Sequence, residues 1–448
     1  MSDADRTTLI LRYADVGIAT YASLRIVGQP SRTVTWVIEE PLLLAALEEL
    51  LNALPEPHGS ESRRDAIERA LITGPFAAPE SELTLAYMLG VLLIGSPGWQ
   101  LLAECVATPR AVLFVSPSAR LARVPWGLLA VPKSGPSKEE LVRARQEAIT
   151  ASGRAAARIP WQLADIGQHT DGHRLMELVD VLLAVPPNIV HSPRAPAGWG
   201  ARKSGPPLLI LDPRVPGQRP DSALGSVLGR PSPETPLARH FTGVLEHRPV
   251  LPAVDAAVEL FRRQDADRTW LAKLLAQAPS RLLYVGHASS AEGQADRAAL
   301  HLADTAEIPG DADAIGDHRP LTASDLMGLQ LPMPPRVAML ACGSGGDYQF
   351  DEATGLVAAM ILGGAQLVTA TLWSLPTTAA YRQFTAAAAD PMADAVIAVD
   401  RAHDAEDDAG CAVNRWQRQQ MRRWRDGETA ASPLYWGAVV SFAVDGAR

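Results

Sequence analysis

Apolar and polar positions alternate through the first forty residues. Thr8 to Tyr13, Ile18 to Ile26 and Thr33 to Ile38 each show period-two patterning, with the turn string Val27-Gly28-Gln29-Pro30 between the last two. That spacing predicts a small meander of strands. From Pro41 the period lengthens. PLLLAALEELLNAL carries apolar residues at helical spacing behind a first-turn proline, so a helix is expected there, followed by helices over Ser81 to Ile94 and Trp99 to Val106.

Beyond residue 110 short apolar runs ending in loops recur: AVLFVSP at 111–117, PLLILDP at 207–213, RLLYVGH at 281–287, RVAMLACG at 336–343 and QLVTATLW at 366–373. Runs of this length without alternation suit strands buried on both faces of a parallel sheet. Helices are expected between them, at 253–263, 268–277 and 352–362; the last is capped by Asp351 and ends at Gly363-Gly364. The runs at 337–342 and 367–373 with their intervening helix make a βαβ unit. The segments 186–207 and 212–236 read as surface loops, and the acidic stretch Ala303 to His318 as a solvated insertion. The fold class is therefore α/β, a mostly parallel central sheet flanked by helices, preceded by a strand and helix region. The expected division is 1–108 and 109–448.

Composition narrows the function. With 448 residues and 47% hydrophobic content the chain builds a sizeable core, and a net charge of −9 argues against a broad nucleic-acid-binding surface. The basic residues are nearly all arginine, with lysine only at 133, 138, 203 and 273. Arg415 to Arg425, interleaved with Trp416 and Trp424, reads as an exposed amphipathic helix rather than a nucleic-acid contact. The N-terminus lacks the apolar stretch of a signal peptide, and no apolar run approaches the roughly 18 residues of a membrane span. A soluble cytoplasmic protein with no membrane partner is expected. Three cysteines make neither a disulfide framework nor a thiolate metal site. Cys105 reads as core filler and Cys411 as a surface or half-buried thiol. His169 and His173 are four apart, but Thr170-Asp171-Gly172 between them reads as a turn, so no metal and no cofactor are expected.

Two reactive side chains close apolar runs. His287 ends RLLYVGH and precedes Ala288-Ser289-Ser290; Cys342 ends VAMLAC and precedes Gly343-Ser344-Gly345-Gly346. In an open parallel sheet, reactive groups gather outside the carboxyl ends of the strands. If those strands are neighbours, an imidazole and a thiol emerge at one edge, and the imidazole activates the thiol as a nucleophile. Small residues after Cys342 leave room for a peptide, with the Cys342 amide as an oxyanion donor. Gly343-Ser344-Gly345-Gly346 is no phosphate loop, because no Gly-Lys-Ser/Thr follows it, and SPSARLARVP at 116–125 lacks the glycines of a dinucleotide-binding turn.

Cys342 follows His287 by 55 positions, near the roughly 50 that separate the two in caspases; of the caspase pattern Q-A-C-[RQG]-G, Ala341, Cys342 and Gly343 agree while Leu340 and Ser344 do not. GHAS at 286–289, LTASDL at 321–326, MLACGSG at 339–345, ATGLVAAMILGGAQLVTATLW at 353–373 and PLYWGAVV at 433–440 occur in the order of CHAT domains, and RVPWGLL at 123–129 is similar to their upstream strand and turn. From about residue 110 onward the chain resembles this family of bacterial, caspase-fold relatives of separases. The resemblance implies a caspase-like sandwich and a cysteine endopeptidase acting on a specific protein partner, in a bacterial conflict or regulatory system, with an activating partner possible. His287 would be general acid/base and Cys342 the nucleophile that forms a thioester. Ala288 and Gly343 would flank the oxyanion hole, and Trp373 and Ser374 the substrate cleft. Two departures stand out. Ala288 replaces the family's usual glycine, which favours the alternative of an inactive pseudo-peptidase scaffold. Leu372-Trp373 is followed by Ser374-Leu375-Pro376-Thr377-Thr378, without the acid that in separase-like members recognises arginine.

Overall fold

The computed structural model describes residues 7–106, 111–133, 165–185, 189, 198–220, 222–289, 294–341, 351–405 and 408–444. They form two compact units, each assembled from separate stretches of chain. The first takes in residues up to Leu54, Glu68–Ala184 and Gln417–Pro433; the second takes in Pro55–Ile67, Val185–Trp416 and Leu434 onward.

In the first unit the meander appears as β1 (Thr8–Asp15), β2 (Ala19–Ile26) and β3 (Gln29–Glu39), joined antiparallel, with Gly28 turning the second hairpin at φ +81°. Only glycine adopts that conformation without strain. β1 then pairs in parallel with β4 (Val112–Ser116). A short ribbon of β5 (Ala130–Pro132) and β6 (Thr170–Arg174) stands apart from the strand order β3-β2-β1-β4-β7, which β7 (Asp180–Ala184) completes. The three expected helices are α1 (Glu40–Ala53), α2 (Pro79–Leu93) and α3 (Ser96–Val106). Gly90 lets α2 lie on the β5 backbone, where a Cβ would fall 2.2 Å from the Ala130 carbonyl oxygen. Beneath them Arg174 and Glu82 form a fully buried ion pair at 2.7 Å.

The second unit holds β8 (Leu208–Leu211), β9 (Arg281–Gly286), β13 (Arg336–Ala341), β14 (Leu367–Thr371) and β15 (Val439–Ala443) in the order β15-β14-β13-β9-β8. The first four are mutually parallel and β15 is antiparallel to β14. Every residue of β8, β9 and β13 is buried, including the leading Arg281 and Arg336, as strands covered on both faces require. A separate ribbon comprises β10 (Ala288–Ser289), β11 (Ala299–Leu300) and β12 (Leu321–Thr322). Helices α4 (Pro236–His247), α5 (Arg268–Leu275), α6 (Asp351–Leu362), α7 (Thr378–Thr385) and α8 (Pro391–Asp404) belong to this unit, with a shorter helix at Ala323–Gly328; α6 links the parallel neighbours β13 and β14, and α8 packs on β9 and β13. At the amino ends of β9 and β13, Arg281 pairs with the buried Asp400 at 2.9 Å, and the Arg336 guanidinium lies 3.7 Å over the Trp199 ring.

Four expectations need correction. Residues 253–263 hold only a 3-10 turn at Ala257–Leu260, because the chain on either side runs along β8: the Leu251 carbonyl accepts from the Leu209 amide, and the Arg262 amide donates to the Leu211 carbonyl. The loop read over 212–236 is a loop but not wholly a surface one, since Asp212, Val215, Leu224 and Val227 are buried; it ends at α4, whose first turn is capped by Thr235 accepting from the Ala238 amide. The acidic stretch is not wholly solvated, since Asp304 is fully buried against Arg268 at 2.7 Å. Cys411 is buried on the apolar side of α9 (Ala409–Arg425), as Cys105 is in α3. The polar side of α9 carries Arg418 to Asp180 and Arg425 to Glu177, while Trp424 is buried. Among the described residues no single helix is long and apolar enough to cross a membrane.

Candidate active site

His287 follows the last residue of β9 and is 4% exposed. Local sequence explains its setting. Gly286 leaves room for the Tyr284 hydroxyl to fold back beneath it, since a Cβ there would sit 2.6 Å from that oxygen. The hydroxyl donates to the His287 carbonyl at 2.6 Å and pins the backbone of the turn. On the ring, Nε2 lies 2.9 Å from the Gly225 carbonyl oxygen. A carbonyl only accepts, so Nε2 carries the proton and Nδ1 carries the lone pair of the neutral imidazole. Gly225 is itself required by its surroundings, because a Cβ would fall 2.3 Å from the Pro220 carbonyl oxygen.

Behind His287 stands a chain of buried groups with one consistent proton order. His318 Nδ1 donates to the Asp304 carbonyl at 2.9 Å, His301 Nδ1 donates to His318 Nε2 at 3.1 Å, and the Ser289 hydroxyl donates to His301 Nε2 at 3.0 Å. Every member is used in the neutral form. Burial first, then the neighbouring imidazoles, holds His301 well below the usual histidine range; burial also lowers His318, against the opposing Asp304 carbonyl.

β9 and β13 are hydrogen-bonded neighbours, and their register pairs Gly286 with Ala341. Gly286 precedes His287 and Ala341 precedes Cys342. Cys342 and Gly343 themselves lie outside the described residues. Ala288 is in extended β10, opposite Leu300, so its backbone asks for no glycine. Ser374 lines a cleft of about 400 Å³ together with His287, Ser222, Ser226, Leu375 and Thr377. Trp373 does not line it: the indole is fully buried and donates to the Leu434 carbonyl at 2.9 Å, so it supports the wall from behind. Sequence reading missed Glu56, which reaches the cleft within the segment Pro55–Ile67 and accepts from the Ser374 amide at 2.8 Å. Nothing in PEPHG marked that glutamate. It also missed Gly225, although a lone glycine inside SALGSV hints at a close backbone approach.

The CHAT domain model matches residues 94–446 of the chain. The chain belongs to the CHAT domain family. The match takes in the mostly parallel, helix-flanked sheet of the second unit. Among solved structures the chain is similar to a chain of the Saccharomyces cerevisiae separase–securin complex, 9% identical, covering 98% of this chain and 30% of that one at a TM-score of 0.39. A second structure of that complex gives 10% identity, 99% and 30% coverage and a TM-score of 0.37. This CHAT protein thus spans about 30% of those chains. No curated protein matches it. In this CHAT domain the described residues contain no group of three or more histidine, cysteine or acidic side chains disposed to hold a metal ion. His173 instead lies 3.9 Å from Glu177 at the surface.

Proposed function

We propose that this CHAT protein is a cysteine endopeptidase that cuts a specific protein partner through a Cys342/His287 dyad. The observation that carries the reading is the parallel β9/β13 register, in which the residues preceding His287 and Cys342 are paired. Neighbouring strands run about 4.8 Å apart. With Nε2–H held by the Gly225 carbonyl, His287 Nδ1 takes the thiol proton and the Cys342 sulfur attacks the substrate carbonyl carbon. The resulting oxyanion is stabilised by the Cys342 amide and an amide near Ala288. Collapse breaks the C–N bond, His287 protonates the departing amine, and a thioester remains. Water, deprotonated by His287, then releases the carboxylate and the thiol. Gly343 keeps the approach to the sulfur open, and Ser374 forms part of the wall along which the substrate lies.

The inactive-scaffold alternative drew its support from Ala288, and the extended conformation of that residue removes the strain argument. The deciding experiment exposes a proteome-derived peptide library to the wild-type protein, Cys342→Ala and His287→Ala. Cleavage by the wild type alone supports the dyad. Equal cleavage by all three, or none under any activating condition, sinks it.

A further inference from the structure

We infer that Asp212 and Arg262 are positioning residues for His287, acting together to hold the Gly225 carbonyl where it fixes the imidazole tautomer. The consequence for turnover rests on the peptidase reading; the hydrogen-bond geometry does not.

Asp212 directly follows β8 and is 1% exposed. Its carboxylate gathers the three residues after Gly225: Oδ2 accepts from the Ser226 hydroxyl at 2.6 Å and the Leu228 amide at 3.3 Å, and Oδ1 accepts from the Val227 amide at 3.1 Å. The Arg262 guanidinium bridges Asp212 Oδ1 at 3.1 Å and the Gly225 carbonyl at 3.2 Å. That carbonyl therefore receives two donors, one from Arg262 and one from His287 Nε2, the latter at 2.9 Å. One acidic and one basic side chain thus tie the loop at Gly225 and just after it, beside the carbonyl oxygen that accepts from the imidazole.

The backbone gives a second, independent sign. Asp212 and Arg262 stand at φ +51° and +53°, where non-glycine residues are uncommon. Of the other non-glycine residues with positive φ, Ala278, Gln330 and Ala386 follow the ends of helices, where a left-handed residue is an ordinary stop. Asp212 instead ends a strand, and its amide donates to the Val285 carbonyl, two residues before His287. Glycine would relieve the backbone at both places. Two charged residues that meet there, each in a strained conformation, point to a requirement for their side chains.

Asp212→Gly and Arg262→Gly remove the side chains without adding strain, since glycine accepts positive φ. In full-length protein labelled with 15N-histidine, long-range 1H–15N correlation reads each tautomer directly, and His287→Gln identifies the His287 signals. The wild type is expected to show His287 almost wholly as the Nε2–H form. In each variant the Nδ1–H population should rise at least about fivefold, matching loss of roughly one hydrogen bond. With a peptide cut by the wild type, kcat should fall by about tenfold or more while KM moves less than about twofold. An unchanged His287 tautomer in a folded variant overturns the inference even if activity falls, because the loop is then only a wall. Should Asp212→Gly fail to fold, Arg262→Gly decides alone, its side chain lying nearer the surface. The spectra need no turnover, so failure of the peptidase reading and failure of this one are told apart.

Discussion

Replacing His403 by glutamine should flatten the acid limb of this protein's stability curve. His403 lies on α8, is 1% exposed, and its Nε2 sits 2.7 Å from the Thr369 hydroxyl, itself 2.9 Å from the Ser441 hydroxyl. Burial, then the Arg336 and Arg281 guanidinium groups, push its pKa down to about 3, with Asp400 opposing. A histidine in the unfolded chain titrates near 6.5. The unfolded state therefore takes up the proton first as pH falls. The neutral ring's contribution is complete above pH ~6.5 and is lost progressively down to the folded value. Across the two units from pH ~6.5 to ~4.5, that loss is about 2.7 kcal/mol at about 1.36 kcal/mol per unit. Stopping at ~4.5 avoids most of the titration of Asp400, whose pKa is lowered chiefly by Arg281 and His240 against its own burial. The lowered His301 and His318 add their own loss in both proteins and cancel in the difference. Urea unfolding followed by circular dichroism at half-unit pH steps measures it. The wild-type and His403→Gln curves should diverge by about 2–3 kcal/mol over this range. Parallel curves, within about 0.5 kcal/mol, would refute the reasoning.

Three other expectations follow from single contacts. Gly225→Ala places a methyl 2.3 Å from the Pro220 carbonyl oxygen, so the loop must yield by most of an ångström; reaction of Cys342 with an electrophilic peptide should slow by about a hundredfold, and an unchanged rate would show that the carbonyl does not matter. Glu82→Ala strands the buried Arg174 guanidinium, and the urea midpoint should fall by an amount worth about 3–5 kcal/mol. Trp373→Phe removes the bond to the Leu434 carbonyl and should cost about 1–3 kcal/mol of stability with little change in KM, as the indole does not face the cleft; a large KM effect would return Trp373 to the substrate wall.

Much of this architecture is legible in the chain because its signals are local. The apolar runs at 281–286 and 336–341 have no polar face to lose, so they announce central strands, and Val27-Gly28 announces a hairpin. What escaped depends on contacts between distant residues. The 253–263 helix failed because pairing with β8 outweighed helical spacing. At the site, His287 stood out by chemistry and position. Glu56, Asp212 and Arg262 carry no motif; their roles arise only when segments far apart in sequence converge. The buried carboxylate of Asp304 was equally hidden, since its partner Arg268 is 36 positions away.

The central claim is that Cys342 is an imidazole-activated nucleophile. It is tested most directly by the rate at which a peptide-derived electrophile labels Cys342, followed by mass spectrometry as a function of pH. The account requires labelling well above that of a free thiol, maintained below the thiol's ordinary pKa of about 8.5, and reduced at least a hundredfold in His287→Ala. Labelling that tracks a free cysteine at every pH, and is indifferent to His287, contradicts it.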